Sequence, residues 1–286
     1  MPASSIPHLP SLISGSLPIA FIGGGNMARS LIGGLVARGT DPASLHVAEP
    51  VAELRQALAG EFGVSVHAEA AQAAEQASMW LFAVKPQVLR GVCESLAPLA
   101  GRNAPLVVSI AAGITSAQLQ QWLGAALPVI RAMPNTPALL GAGVTGLFAT
   151  EGVDAPGRQR AETLLAAAGK TVWIGDEVQM DAVTAVSGSG PAYAFLLAEA
   201  MEAAAVAEGL PAEAARTLTL QTILGAARML TETGEAPAEL RRRVTSPGGT
   251  TQAAIETFQS GGFEALVGRA IHAAAVRGKE LSAAND

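Results

Sequence analysis

Two short stretches of the chain bring hydroxyls and glycines together at abrupt helix starts: Ser187-Gly-Ser-Gly190-Pro191 and Ser246-Pro-Gly-Gly249-Thr-Thr251. Proline and glycine do not suit helix interiors, so each stretch ends one helix and opens the next. Pro191 fits the first turn of a helix, and Thr250 or Thr251 fits an N-cap or a first-turn hydroxyl. Such starts leave backbone N–H groups without intrahelical partners, and with the hydroxyls they suit a small carboxylate. Either stretch alone is an ordinary capping motif. Two of them favour carboxylate recognition because the chain also carries Gly23-Gly-Gly25-Asn-Met-Ala28 directly behind the apolar run "PIAFI" (18–22). In that strand–turn–helix setting a GxGxxA pattern binds a dinucleotide. Gly23 permits the tight turn, Gly25 lets the backbone approach a pyrophosphate, and Ala28 lets helix and strand pack closely. Glu49 ends the next strand, 26 residues after Gly23. An acid there accepts hydrogen bonds from the adenosine ribose hydroxyls and repels a 2′-phosphate, which favours NADH. Arg55 follows six residues later, so NADPH stays open. A Glu49 that merely faces solvent is the plainer alternative.

The elements that must position these residues fall into two rhythms. From 18 to 175, β-type runs alternate with helical stretches: strands at 18–22, 45–48, 64–67, 78–84, 105–111, 127–133, 144–150 and 170–175, with helices near 51–59, 87–99 and 115–123. Runs such as "SMWLFAV", "PLVVSIA" and "LPVIRAM" are apolar throughout, as strands inside parallel sheets are. The expected class is an α/β Rossmann-type domain, doubly wound. Open sheets of this kind gather ligands at the carboxyl ends of their strands. Lys85-Pro86, Ala111-Ala-Gly113 and Pro134-Asn-Thr-Pro137 stand there, with Asn135 offering an amide near a nicotinamide; an exposed lysine and a plain turn are the bland alternatives. From 176 to 286 the strand signal ends, and alanine-rich helices are expected at 176–187, 191–209, 211–233, 237–244, 250–260 and 262–283. Helices of this kind without a sheet of their own bury a face against a second copy, which points to a homo-oligomer.

Composition sets the outer bounds. Of 286 residues half are apolar and 15% charged, so a large core forms and global disorder is excluded. A formal charge of −6 argues against nucleic acid or an anionic membrane as partner, and Arg241-Arg-Arg243 reads as a helix terminus. No apolar run reaches the roughly 20 residues of a membrane span. The single Cys93 excludes internal disulfides and lies in an apolar helical pattern, which suits a reducing, cytoplasmic setting. Four histidines without ligand spacing speak against a metal. Residues 1–17, with three prolines and no charged leader, are expected to form a flexible N-terminal extension.

Taken in order, "FIGGGNMA", "AVKP", "SIAAGI", "MPNTP", "DAVTAVSGSGPAY" and "VTSPGGTTQAAIETF" resemble pyrroline-5-carboxylate reductase over residues 18–282. The last two motifs are more specific to that family than the glycine turn. The resemblance implies a Rossmann domain at 18–175 and a helical substrate-binding and dimerisation domain at 176–286, paired into dimers that often assemble as decamers. It implies hydride transfer from NADPH or NADH to the C=N bond of (S)-1-pyrroline-5-carboxylate, giving L-proline in the last step of its biosynthesis. By position, the cofactor would meet Ile22, Gly23, Gly24, Gly25, Asn26, Met27, Ala48, Glu49, Ala83, Val84, Lys85, Pro86, Ile110, Ala111 and Ala112. The substrate would meet Glu177, Arg243, Ser246, Gly248, Gly249, Thr250 and Thr251, with Thr251 and Ser246 as the candidate catalytic residues. Glu49 stands where many relatives carry a Ser or Arg-type residue, and Ala70 where an asparagine often contacts the adenosine side. Two other readings compete. A β-hydroxyacid dehydrogenase joins similar halves but wants a lysine in the helical domain, a role that neither Lys170 nor Lys279 suits. A dinucleotide-sensing protein without turnover would not need Ser246, Thr250 and Thr251 together.

Overall fold

The computed structural model describes residues 17–284, so the expected extension lies, Leu17 aside, outside the described residues. β1 (Ile19–Ile22) leads into α1 (Asn26–Ala37), followed by β2 (Leu45–Ala48), α2 (Ala52–Phe62), β3 (Ser65–His67) and the short α3 (Ala70–Ala74). Then come β4 (Met79–Phe82), α4 (Pro86–Asn103), β5 (Leu106–Ser109), α5 (Ser116–Leu123) and β6 (Val129–Met133). β7 (Gly143–Ala149), α6 (Ala155–Ala166) and β8 (Gly169–Trp173) complete one eight-stranded sheet in the order β3-β2-β1-β4-β5-β6-β7-β8. Every neighbouring pair is parallel except β6 and β7. Only a 3₁₀ turn at Thr136–Leu140 joins these two, too short for the crossover that a parallel pair requires.

The central strands are buried on both faces, which is why they read as unbroken apolar runs. On one face Phe21, Val47, Val108 and Ile130 pack with Leu31, Ile32 and Leu35 of α1 and Leu164 and Leu165 of α6. On the other, Ile22, Trp80, Phe82 and Val107 pack with Leu89, Cys93 and Leu96 of α4 and Leu119 and Trp122 of α5. Burial pushes the Cys93 thiol up to about 12, with Glu94 adding to the effect, so it is a core side chain and not a nucleophile.

Residues 176–187, expected as one helix, form a 3₁₀ turn (Glu177–Gln179), α7 (Met180–Val183) and a π-helical turn (Thr184–Gly188). The Thr184 and Ser187 hydroxyls donate to the carbonyls of Met180 and Val183, a competition that loosens helical turns. Val183 also packs against Gly146 of β7, where a Cβ would come within 2.4 Å of its Cγ1.

The chain divides into two compact units, one running to Gly188 and resuming at Ala275, the other Ser189–Ala274. The division thus falls after Gly188, later than the expected 175, because the 177–188 segment packs on β6 and β7. The second unit holds α8 (Gly190–Ala207), α9 (Ala212–Glu232), α10 (Pro237–Arg243), α11 (Thr250–Ser260) and most of α12 (Phe263–Ala283). These helices leave Phe195, Leu196, Leu218, Leu224, Phe258 and Leu266 exposed.

Candidate functional site

In the first unit the glycine turn follows directly from the sheet. Gly23 has φ +106 and donates its N–H to the Ala48 carbonyl at 2.9 Å. A Cβ there would lie 2.7 Å from the Ala83 carbonyl oxygen, so β4 excludes any other residue. Gly25 is the N-cap of α1, no side chain caps the helix, and nothing lies within 4 Å of where its Cβ would be. The space in front of this helix start, with N–H groups facing it, fits a pyrophosphate. Asn26 is exposed, Met27 half-buried and Ala28 fully packed.

Glu49 does not face solvent. It is 7% exposed, its Oε2 accepts from the Gly24 N–H at 3.1 Å, and its Oε1 accepts from the Val51 N–H at 3.0 Å. The acid at the end of β2 therefore braces the glycine turn from beneath. Arg55 folds back to the same strand end, and its Nη1 donates to the Glu49 and Pro50 carbonyls, each at 2.7 Å. Beneath them His46 Nδ1 and His67 Nε2 approach to 3.3 Å. Burial lowers both imidazole pKa values, and for His46 the neighbouring His67 adds to the effect. Glu49→Ala is expected to weaken NAD(P)H binding about tenfold, since the Gly24 N–H of the turn and the Val51 N–H beside it lose their acceptor. Titration of cofactor fluorescence checks this, and an unchanged affinity would mean that the turn needs no brace.

At the end of β4, Ala83 donates its N–H to the Ile22 carbonyl, and Lys85, exposed, is the N-cap of α4 with Pro86 in the first turn. After β5, Ile110 donates to the Phe82 carbonyl, and the Ser109 hydroxyl accepts from the Ala111 N–H at 3.3 Å. This brings the 22–27, 48–49, 83–86 and 110–112 segments together along the carboxyl edge of one sheet.

Two site expectations meet a different environment. Asn135 donates to the Ser187 carbonyl at 3.1 Å and accepts from the Val144 N–H at 2.9 Å, so both ends of its amide tie the turn after β6 to the fold. Glu177 is likewise engaged. Its Oε1 accepts from the Ser116 N–H (2.7 Å) and from Arg131 Nη1 (2.9 Å), and its Oε2 accepts from the Ser116 hydroxyl (2.6 Å). The Glu177 carboxylate thus takes three donors from Ser116 and Arg131, two of them on Oε1 and one on Oε2. Arg131, Ser116 and Ser109 were not among the sequence candidates. The signal lay in "LPVIRAM", whose arginine is as foreign to an apolar strand as Lys85 is to its own.

Neither helix start has a side-chain cap, Ser189 standing at α8 and Gly249 at α11, but their hydroxyls differ. The Ser187 hydroxyl donates to Val183, and Ser187 also accepts from Asn135. The α11 start differs. Gly249 is its N-cap with extended backbone, no side chain caps it, and the Ser246, Thr250 and Thr251 hydroxyls bond to no other described group. The turn itself is set by Gly248 at φ +71, by Gly249 donating to the Ser246 carbonyl (3.0 Å), and by Gly248 donating to Gln252 Oε1 (2.6 Å). Within the same unit Arg243 grips both oxygens of Glu235 through Nη1, at 2.6 and 2.8 Å. Among the described residues no group of three or more His, Cys, Asp or Glu could hold a metal ion.

Residues 18–113 match the family model described as "NADP oxidoreductase coenzyme F420-dependent". With the glycine cradle and its acid brace, this makes the chain an NAD(P)H-dependent oxidoreductase. Residues 177–281 match the model for "Pyrroline-5-carboxylate reductase dimerisation". A relative from Pseudomonas aeruginosa named pyrroline-5-carboxylate reductase is 54% identical over 264 residues, 92% of this chain and 96% of its own length. The chain belongs to the pyrroline-5-carboxylate reductase family. Among solved structures, a pyrroline-5-carboxylate reductase from Coxiella burnetii is 44% identical, covers 94% of this chain and 99% of its own, and superposes with a TM-score of 0.90. The Plasmodium falciparum enzyme, solved with NADP bound, is 26% identical with a TM-score of 0.81, covering 93% of this chain and 98% of its own.

Proposed function

We propose that this chain reduces the C=N bond of (S)-1-pyrroline-5-carboxylate to L-proline, the last step of proline biosynthesis. The nicotinamide cofactor, when bound, supplies the hydride that adds to C5 as the C=N⁺H group becomes a secondary amine. A protonated imine is already electrophilic, so the protein contributes position more than acid strength. The observation that carries the reading is the open α11 start. Its uncapped N–H groups suit the substrate carboxylate, with the Ser246 and Thr250 hydroxyls and Gly248 and Gly249 shaping the turn around it. The Thr251 hydroxyl, half-buried at the second helical position, hydrogen-bonds the ring nitrogen. Arg243, held by Glu235 at the end of α10, stands just before this turn in the chain and would meet the substrate from there.

The exposed apolar residues of α8, α9, α11 and α12 suit a second copy of the chain, giving a homodimer or a decamer built from dimers. No helix among the described residues is long and apolar enough to cross a membrane, and the lone buried Cys93 supports a cytoplasmic setting. Following reduced-nicotinamide absorbance with pyrroline-5-carboxylate plus NADPH or NADH, and with a panel of β-hydroxyacids plus NADP⁺ or NAD⁺, tests the proposal. Turnover confined to the cyclic imine supports it, whereas oxidation of hydroxyacids alone replaces it with the dehydrogenase reading. The same assay ranks the two cofactors.

A further inference from the structure

We infer that Glu177 is a positioning residue: paired with the buried Arg131 and bonded to Ser116, it pins the 110–116 loop and keeps the nicotinamide half of the cofactor site electrically neutral. The inference rests on the NAD(P)H reading of the first unit, and every residue it uses lies in that unit.

Arg131 is the third residue of β6 and pairs in register with Ser109, the last residue of β5. Its side chain is 9% exposed, and a guanidinium so buried needs an anionic partner. Glu177 reaches it from the turn after β8, 46 positions along the chain. The same carboxylate takes the N–H and the hydroxyl of Ser116, the first residue of α5, where the helix dipole adds to its hold. The loop between β5 and α5 is thereby fixed at both ends. At its start Ile110 bonds to β4 and Ala111 to Ser109. At its finish Ser116 bonds to Glu177, and Thr115 and Gln118 form a capping box. Midway, Gly113 lies against Leu281 near the end of α12.

The position of this loop gives the pairing a purpose beyond packing. The strand order reverses between β1 and β4, and a dinucleotide spans that switch, with the adenosine ribose on the β2 side where Glu49 stands. The carboxyl ends of β4, β5 and β6 therefore receive the other half, the ring that is neutral when reduced and positively charged when oxidised. Arg131 and Glu177 together carry no net charge. Removing the carboxylate would leave a buried positive charge that opposes the oxidised ring and hardly affects the reduced one; removing the arginine would do the reverse.

The test is to measure Kd for NADPH and for NADP⁺ by titration in the wild type, Glu177→Gln, Arg131→Met and the double variant, with thermal unfolding alongside. The ratio Kd(NADP⁺)/Kd(NADPH) is expected to rise about three- to tenfold in Glu177→Gln. It should fall by a similar factor in Arg131→Met and return near the wild-type value in the double variant. A purely structural role would weaken both nucleotides together, so a ratio that stays constant, or moves the same way in both single variants, overturns the inference. Should one single variant fail to fold, the other single variant set against the wild type still has a required sign, and a wrong or absent shift there refutes the idea. If the wild type binds neither nucleotide, the cofactor reading itself fails. If it binds both and the ratios do not separate, only the role of Glu177 does.

Discussion

Gly23→Ala is expected to lose NAD(P)H binding by a hundredfold or more and to lower the thermal stability of the first unit. Gly23 holds φ +106, and a methyl group there would press to 2.7 Å from the Ala83 carbonyl oxygen and 3.0 Å from Val84 Cγ1. The obstructing atom is backbone, and the neighbouring Ala83 N–H is bonded to Ile22 at 2.8 Å, so relief means prying β1 from β4. Left-handed strain and overpacking cost about 1–3 kcal/mol each, and about 2.7 kcal/mol already corresponds to a hundredfold in affinity. Gly25→Ala is the informative companion. Its Cβ would meet nothing within 4 Å at an ordinary φ of −68, so stability should hold while the added methyl obstructs the phosphates. Cofactor titration and thermal unfolding on both variants separate fold from approach. Wild-type affinity in Gly23→Ala would remove the turn from the cofactor site.

Thr251→Val carries the second large effect. Valine keeps the shape of threonine and removes only the hydroxyl, which no other described group engages. Loss of the hydroxyl oxygen that accepts from the ring N–H and orients the iminium is expected to lower kcat on pyrroline-5-carboxylate by about a hundred- to a thousandfold. The Kd for NAD(P)H should hold, because the glycine turn belongs to the other compact unit. Thr251→Ser should recover much of the rate. Full activity in the valine variant would take Thr251 out of the chemistry and leave the helix start as a carboxylate site alone.

What the sequence revealed and what it concealed divide along the range of the interactions. β2 was legible to the residue at Leu45–Ala48, and the starts of α8, α9, α10 and α11 were marked within a residue by Pro and Gly, because these are local backbone constraints. The cradle at Gly23–Ala28 was legible for the same reason. α6 went unread because its apolar stripe is thin, with only Ala161, Leu164 and Leu165 buried among the large side chains and alanines it offers. The antiparallel turn from β6 to β7 could have been inferred from the shortness of the connection. The pairing of Arg131 with Glu177 could not, since it joins positions 46 apart through side chains that follow no repeat. Asn135 and Glu177 show the same limit from the other side. Their chemistry was visible, but polar groups in loops are claimed by whichever backbone the fold brings near, and here the fold brought Val144, Ser187 and Ser116.

The last stretch of α12 returns to the first unit, where Gly278 sits against Asp181 and the Ser282 carbonyl accepts from Gln118 Nε2 at 3.2 Å. Residues from both ends of the sequence thus complete the first unit, and the loop after β5 takes one of its walls from the end of α12. A fragment cut after Gly188 would lack the strap that closes Gly113 and α5, so a single cleavage of the chain does not release the first unit intact.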